Sequence, residues 1–180
     1  MSSIYFHEDD FCQIEILPVE NFEFCAKQAG LIADFADTNR SESGYTNTYI
    51  RSGPPTPLKN KKISKKSLAR TLNNVLPKFD EVLTGYSSYR QKCQFTSAFG
   101  YENEVVIFFE EKNRIVANIW LTLNIKNENN LTTAHEILIA LSKFGDFLIA
   151  DWAWDYVERI SSHERINKYL HERLERYSAN

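Results

Sequence analysis

A short acidic and aromatic segment, Asp151 to Tyr156, contains the side chains of this sequence that are best suited to chemistry. Its two carboxylates, Asp151 and Asp155, are of the type that act as acid and base in hydrolysis. The segment is predicted to be a strand, in which residues four apart lie on the same side at a separation of about 13 Å. Carboxylates at that distance do not share a proton, so no catalytic pair is predicted.

The same segment has the composition of a protein-binding surface. Its aromatic groups supply the large contact area that dominates binding energy at interfaces, and its aspartates attract a basic partner. Packing of these aromatic groups in the protein core is the alternative interpretation. Together with two glutamates from an earlier part of the chain, the predicted partner-binding residues are Asp151, Trp152, Trp154, Asp155, Tyr156, Glu102 and Glu104.

Each of the four histidines is followed by glutamate, which invites comparison with the HExxH motif of zinc proteases. That motif needs a second histidine four residues after the first, so that two imidazoles from one helix face hold the metal. The fourth residue after His135 is Ile139, and no other histidine meets the requirement either. No metal site is predicted.

The cysteines and glycines indicate no covalent or cofactor chemistry. Cys12, Cys25 and Cys93 have neither CxxC nor metal-ligand spacing, so they are predicted to be reduced and mostly buried thiols. The chain has 6 glycines and no phosphate-binding or dinucleotide-binding glycine motif. We therefore predict no cofactor and name no catalytic residue.

Charge is divided unevenly along the sequence. Residues 1–42 contain nine acidic and two basic residues, a net charge of −7, whereas residues 51–70 contain seven basic residues and no acid. The division indicates either two surfaces for partners or two parts of one domain that attract each other. Aromatic residues are not interleaved with the lysines and the whole chain is acidic, so nucleic acid is not the expected ligand.

Apolar spacing predicts four helices. They are expected over about 19–37, over about 64–83 with a kink at Pro77, from a capping box at Thr133 to Glu136, and from a second capping box at Ser161 to Glu164. Residues 38–63 are rich in proline, glycine and lysine and are predicted to form a long basic loop. No apolar run approaches the length of a membrane span, and the protein is expected to be cytoplasmic.

Alternating apolar residues predict strands over about 11–17, 93–99, 105–109, 115–125 and 147–157. The strand over 115–125 is the clearest of these, because every second residue from Ile115 to Ile125 is apolar, a period of two that is typical of a half-buried strand. At 180 residues the chain suits one domain, 1–180. The predicted fold class is α+β, with a single antiparallel sheet and helices packed mainly on one face.

The segment from Glu104 to Ile160 contains a Val-Val-Ile-Phe-Phe and Ile-Trp-Leu-Thr-Leu hairpin, a leucine-rich helix and Phe-Leu-Ile-Ala-Asp-Trp. In this it resembles small cytoplasmic immunity proteins of bacterial toxin systems, such as those of contact-dependent inhibition and type VI secretion. The resemblance implies binding and stoichiometric neutralisation of a cognate toxin domain. Because many such toxins are basic nucleases, it also implies that acidic surface of this chain, in residues 1–42 or at Asp151 to Tyr156, contacts the toxin.

Two alternatives from other classes remain. A small hydrolase or nuclease would use carboxylates such as Glu102, Glu104 and Glu110, and it should have a concave pocket in which titratable groups converge. A regulatory adaptor would instead form a homo-oligomer, with the aromatic strand as its dimer interface. The basic residues from Lys59 to Lys66 are a further possible contact with an acidic toxin surface.

Overall fold

The computed structural model describes residues 2–42, 44–86 and 88–178. This part of the chain has the predicted α+β composition. Its helices are α1 (Phe22–Asn39), α2 (Lys65–Asn73), α3 (Glu128–Ser142) and α4 (His163–Ser178). None of the described helices combines the length and apolar composition needed to cross a bilayer.

The strands form two main sheets, so the prediction of a single sheet is wrong. They are β1 (Ser3–His7), β2 (Ile14–Pro18), β3 (Arg40–Ser41), β4 (Gly44–Tyr45), β5 (Glu81–Gly85), β6 (Gln91–Lys92), β7 (Thr96–Gly100), β8 (Val105–Lys112), β9 (Ile115–Leu123), β10 (Phe147–Asp151) and β11 (Tyr156–Arg159). The large sheet has the order β11-β10-β2-β9-β8-β7 and is antiparallel. The small sheet has the order β1-β5-β6, and β3 pairs only with β4.

The large sheet is covered on both faces. On one face α2, α3 and α4 pack on a core that includes Leu68, Ile107, Phe109, Ile137, Ile149 and Leu170. On the other face the small sheet packs on β8 and β9 through Ile4, Phe6, Val82, Val106, Phe108 and Trp120, and α1 packs on β10 through Cys25, Ala29, Leu148 and Ala150. Three of the four helices therefore share one face, and the small sheet takes much of the other.

The β8–β9 hairpin was predicted, and its turn is tighter than expected. Asn113 and Arg114 connect the strands with φ angles of 55° and 66°. Two positive φ angles in succession match the right-handed twist of the strands that they join. The alternation along β9 places Ile119 and Leu121 in the core beneath the helices, with Trp120 on the opposite face.

The second helix is shorter than predicted. α2 begins after Ser64, whose hydroxyl oxygen accepts a hydrogen bond from the Ser67 N–H at 3.4 Å, as expected for a helix cap. The helix ends at Asn73 and does not continue to residue 83. Pro77 lacks an N–H and disfavours helix, and β5 follows at Glu81–Gly85, parallel to β1.

Both predicted capping boxes are displaced from the true helix starts. α3 begins five residues before Thr133, and the Asn127 side-chain oxygen caps it by accepting from the Asn130 N–H at 3.0 Å. The Thr133 hydroxyl instead donates to the carbonyl of Asn129 within the helix. α4 begins at His163, where the carbonyl of Ser162 accepts from the Ile166 N–H at 3.0 Å.

The predicted strand over 147–157 is two strands joined by a turn. β10 ends at Asp151, four residues form the turn, and β11 returns beside β10 from Tyr156. Asp155 has a φ of 51°, a left-handed conformation that aspartate tolerates better than most residues. The 13 Å separation estimated for an extended Asp151–Asp155 segment therefore does not apply.

The basic loop over 38–63 is anchored to the domain. Asn21 exchanges two hydrogen bonds with the backbone of Thr56, at 2.8 and 2.9 Å, and Leu58 and Ile63 are buried. Lys61 pairs with Glu20 at 2.7 Å, and Arg51 pairs with Glu15 at 3.0 Å. These pairs favour the interpretation in which the acidic and basic parts of one domain attract each other.

Candidate functional site

Asp151, the first of the predicted partner-binding residues, lies in the protein core. Its side chain is fully buried and forms an ion pair with the Arg173 guanidinium. It also accepts a hydrogen bond from the Tyr169 hydroxyl at 2.8 Å. Burial and the negative charge of Asp151 raise the pKa of that hydroxyl. The Asp151 carboxylate holds α4 against the end of β10 and is not accessible to a partner.

The rest of the predicted segment differs in accessibility. The half-buried Tyr156 ring stacks on Tyr169 at 4.2 Å, and Arg173 lies 4.5 Å from the centre of the half-buried Trp154 ring. Asp155 is exposed in the turn, where partial burial and the nearby charges of Asp151 and Asp37 raise its carboxyl pKa. Partner binding at this segment remains a prediction, with Trp154, Asp155 and Tyr156 as its accessible members.

Trp152 belongs to a buried polar cluster between α1 and the small sheet. Its indole N–H donates to the Glu15 carboxylate at 3.2 Å, and the Arg51 guanidinium lies 4.2 Å from its ring centre. Burial raises the pKa of the Glu15 carboxyl, while Arg51 and the indole act in the opposite direction. The Cys12 thiol is also buried there, and burial together with Glu15 raises its pKa. The cluster fastens the basic loop to the centre of the large sheet.

The raised pKa of Glu15 predicts how stability depends on pH. Because the folded state holds the proton more tightly than the unfolded state, the contribution of this group to stability is present below pH 4.5 and is lost as pH rises through the folded-state pKa. A Glu15→Gln variant cannot titrate. We therefore expect the stability of the natural protein relative to this variant to fall with rising pH in urea denaturation series. If the stability of the natural protein relative to Glu15→Gln instead rises with pH, the ion pair with Arg51 outweighs the effect of burial on the Glu15 pKa.

Glu102 and Glu104 lie in the segment just before β8. Glu102 is exposed, whereas the half-buried Glu104 accepts a hydrogen bond from the Asn130 side chain of α3 at 2.7 Å. Glu110, the third carboxylate of the hydrolase alternative, accepts from Asn118 at 2.8 Å. Glu104 directly precedes β8 and Glu110 lies within it, so the six residues of extended chain between them span about 20 Å. These two carboxylates do not converge on one site.

A cleft that we call cleft A opens between the small sheet and the edge of the large sheet. It has a volume of about 450 Å³ and is lined by Phe6, Glu8, Phe11, Thr84, Gln91, Lys92, Cys93, Gln94, Phe95, Thr96 and Glu110. Phe11 and Phe95 are 43% and 60% exposed. Large aromatic groups are usually covered in a folded protein, so two exposed phenylalanines on one cleft make it a candidate contact surface.

Backbone contacts hold both phenylalanines in place. Phe11 follows a short 3-10 helix, Glu8–Asp10, and its N–H donates to the carbonyl of Glu8 at 3.1 Å. Its ring packs edge-on against Trp120, with 4.8 Å between ring centres. The carbonyl of Phe95 accepts from the Glu111 N–H at 3.0 Å. Because the backbone at both residues is fixed, little ordering is required when a partner covers the rings.

A second cleft, which we call cleft B, opens beside β1. It has a volume of about 320 Å³ and is lined by Ile4, Tyr5, Phe6, Asp10, Arg90, Glu102, Asn103, Val106, Phe108, Thr122 and Asn124. Phe6 lines both clefts, and the acidic 3-10 helix contributes Glu8 to cleft A and Asp10 to cleft B. Tyr86 and Tyr89, 63% and 64% exposed, lie in the loop before β6.

Most residues of the two clefts were not predicted as site residues. Glu102 belongs to the predicted partner-binding set and Glu110 to the hydrolase alternative. The other residues come from separate stretches of the chain, which meet because β1 pairs with β5 and the small sheet packs on β8 and β9. The one local indication in the sequence is the acidic run from Glu8 to Asp10 directly before Phe11.

Other possible centres of chemistry are limited. Cys12, Cys25 and Cys93 are free thiols, of which the first two are buried. Burial raises the pKa of the Cys25 thiol to about 12 and also raises that of Cys93. Thiols with raised pKa values are poor nucleophiles at neutral pH. Across the part of the chain that the structure describes, no group of three or more histidine, cysteine, aspartate and glutamate side chains is placed to hold a metal ion.

No protein-family model, curated protein or solved structure matches this chain.

Proposed function

We propose that this chain is a protein-binding module that neutralises a cognate bacterial toxin domain by stoichiometric complex formation. The observation that carries the proposal is the pair of exposed phenylalanines, Phe11 and Phe95, on a concave surface whose backbone is held by hydrogen bonds. Aromatic anchors next to a cleft are typical of the residues that contribute most to binding energy at protein interfaces.

The charge around the clefts suits a basic partner. Glu8, Asp9 and Asp10 are all exposed on the 3-10 helix between the two clefts, and Glu102 adds a fourth exposed carboxylate. Acidic side chains around an apolar surface accelerate capture of a basic protein and reject acidic ones. This arrangement agrees with the acidic antidote surface that the resemblance implies, and we propose that the surface lies at Glu8 to Phe11 rather than at Asp151.

The test starts from the reading frame next to the gene of this chain, where a toxin-like domain is expected. Co-expression of this chain should restore growth to cells that produce that domain, and the purified proteins should form a 1:1 complex. Turnover of a substrate by the purified chain, or the absence of a complex with the neighbouring domain, would overturn the proposal. Light scattering on the chain alone tests the adaptor alternative, which requires a dimer.

We expect Phe95→Ala to weaken the complex about thirtyfold, because removing an aromatic side chain that anchors an interface costs about 2 kcal/mol of binding energy. Calorimetric titration with the toxin domain measures the change. Ile139→Ala is the matched control, since Ile139 is 55% exposed on α3, on the opposite side of the large sheet. Equal affinities for Phe95→Ala and the natural protein would exclude cleft A from the interface.

A further inference from the structure

One segment of the basic loop, Thr48 to Gly53, leaves its backbone unpaired, and we call it the strap. Within the part of the chain that the structure describes, none of its N–H or C=O groups makes a hydrogen bond. The strap contains no helix, strand or turn, and exposed and half-buried residues alternate along it from Thr48 to Ser52. A period of two is that of an extended chain, and unpaired groups on an extended chain are a template for another strand.

The two half-buried side chains of the strap fix it to the domain. The Tyr49 hydroxyl donates to the Gln28 side-chain oxygen at 3.2 Å, and its ring lies 5.4 Å from the Phe35 ring. Arg51 forms the ion pair with Glu15 at 3.0 Å. Because both anchors exist in the protein alone, little ordering of the strap is required when a partner binds.

Ile50 lies between the two anchors and is 88% exposed, the highest value among the large apolar residues that the structure describes. The outward side chains on either side of it, Thr48 and Ser52, are uncharged, and the Arg51 side chain is only 27% exposed. Edge strands that have to remain free of partners are usually protected by charged residues or proline. The strap lacks both as far as Pro54, and its Thr-Tyr-Ile sequence favours strand structure.

The strap is close to the Phe11 surface of the proposed interface. Arg51 holds it to Glu15 of β2, Glu15 pairs with Trp120 of β9, and the Phe11 ring packs on Trp120. Six residues alone bury far less than the roughly 1,000 Å² that a specific complex requires. A partner that also covers Phe11 therefore suits the strap better than a second copy of this chain held by the strap alone.

We propose that the partner protein adds an edge strand of its own sheet to the strap, with backbone hydrogen bonds along Thr48 to Gly53 and an apolar pocket that receives Ile50. The inference rests on the proposed function, for which it names a second contact and its type. In strand addition, main-chain hydrogen bonds provide affinity and pockets for alternate side chains provide specificity.

Hydrogen exchange measured by mass spectrometry tests the backbone contact, with the purified domain encoded next to the gene of this chain as the probe. The amides of Thr48 to Gly53 should exchange rapidly in the protein alone and at least about tenfold more slowly in the complex. Ile50→Ala should weaken the complex about tenfold, because the side chain loses its burial in the pocket. Ile139→Ala is the matched control and should leave the affinity unchanged, and urea denaturation should show equal stability for both variants.

The outcomes separate the inference from the proposed function. A complex in which the strap amides exchange as fast as in the protein alone, or in which Ile50→Ala binds as tightly as the natural protein, overturns the inference and leaves the proposed function in place. Slow exchange that develops in the chain alone as its concentration rises identifies a second copy as the occupant and also overturns the inference. If no complex with the neighbouring domain forms, the proposed function fails and the inference fails with it.

Discussion

Replacing Asp151 with asparagine is expected to lower the free energy of unfolding by about 3–5 kcal/mol, the usual effect of breaking a buried ion pair. The substitution leaves the Arg173 guanidinium, whose side chain is 13% exposed, without its charged partner, and it weakens the hydrogen bond from Tyr169. Urea denaturation followed by circular dichroism measures the loss. Since small domains have about 5–15 kcal/mol of stability in total, this loss is a large part of what holds the protein folded.

Asp155→Asn is the matched control. Asp155 has the same side chain four residues later but is exposed, and asparagine tolerates its positive φ. Its stability should change by no more than about 0.5 kcal/mol, as for most surface substitutions. Similar losses of unfolding free energy for the two variants would mean that the ion pair between Asp151 and Arg173 does not stabilise the folded protein.

The second large effect is expected at Gly100, where β7 ends. Its φ of 137° is strained for any residue with a Cβ, and an added Cβ would overlap the carbonyl oxygen of Val105 and lie 2.8 Å from the Val106 Cα. Both neighbours are backbone of the paired strand β8, which cannot move aside without disturbing the sheet. We expect Gly100→Ala to lower the free energy of unfolding by at least about 3 kcal/mol, from backbone strain and overpacking together.

Gly30→Ala provides a control of opposite sign. Gly30 lies in the middle of α1 with open space where its Cβ would be, so alanine should stabilise the helix by about 0.5–1 kcal/mol. The same denaturation experiment measures both glycine variants. A mild effect at Gly100 would show that the turn between β7 and β8 can adopt another conformation.

The sequence predicted those elements in which local pattern and tertiary burial agree. In β9, alternation separates Ile119 and Leu121 from Trp120, and the structure places them on opposite faces as predicted. The pattern indicated a half-buried strand, but Trp120 is buried as well because the small sheet covers the second face. α1 and the β8–β9 hairpin were predicted for the same reason. Where the apolar side chains of an element lie on the face that packs in the core, their period along the sequence is sufficient to predict the type of element.

The secondary-structure predictions were wrong where a local sequence pattern was compatible with more than one structure. Val75, Phe79 and Val82 keep helical spacing beyond α2, but Pro77 disfavours helix and Val82 instead contributes to the small sheet. Asp151 to Tyr156 alternate like a strand, yet the chain turns after Asp151 and β11 returns beside β10. Asp151 and Trp152 have buried partners in other elements of the fold, Tyr169 and Glu15 respectively. Such partners lie far away in the sequence and cannot be inferred from spacing.

The candidate site was the least predictable part. Phe11, Thr84, Phe95 and Glu110 lie far apart in the sequence. They share a cleft because β1 pairs with β5 and the small sheet packs on the large one. Glu102 was selected for its charge and does line cleft B. The general expectation of an acidic contact surface could be formed from composition, but its position depends on the tertiary structure.

The position of β2 in the large sheet bears on how the chain folds during its synthesis. β2 (Ile14–Pro18) is synthesised well before its neighbours in the sheet, which are β9 and β10, and β10 ends at Asp151. β2, in the middle of the sheet, therefore cannot pair with its neighbours until β9 and β10 have been translated. Ribosome-bound chains that stop before β10 should be sensitive to protease, and protection should arise in one late step.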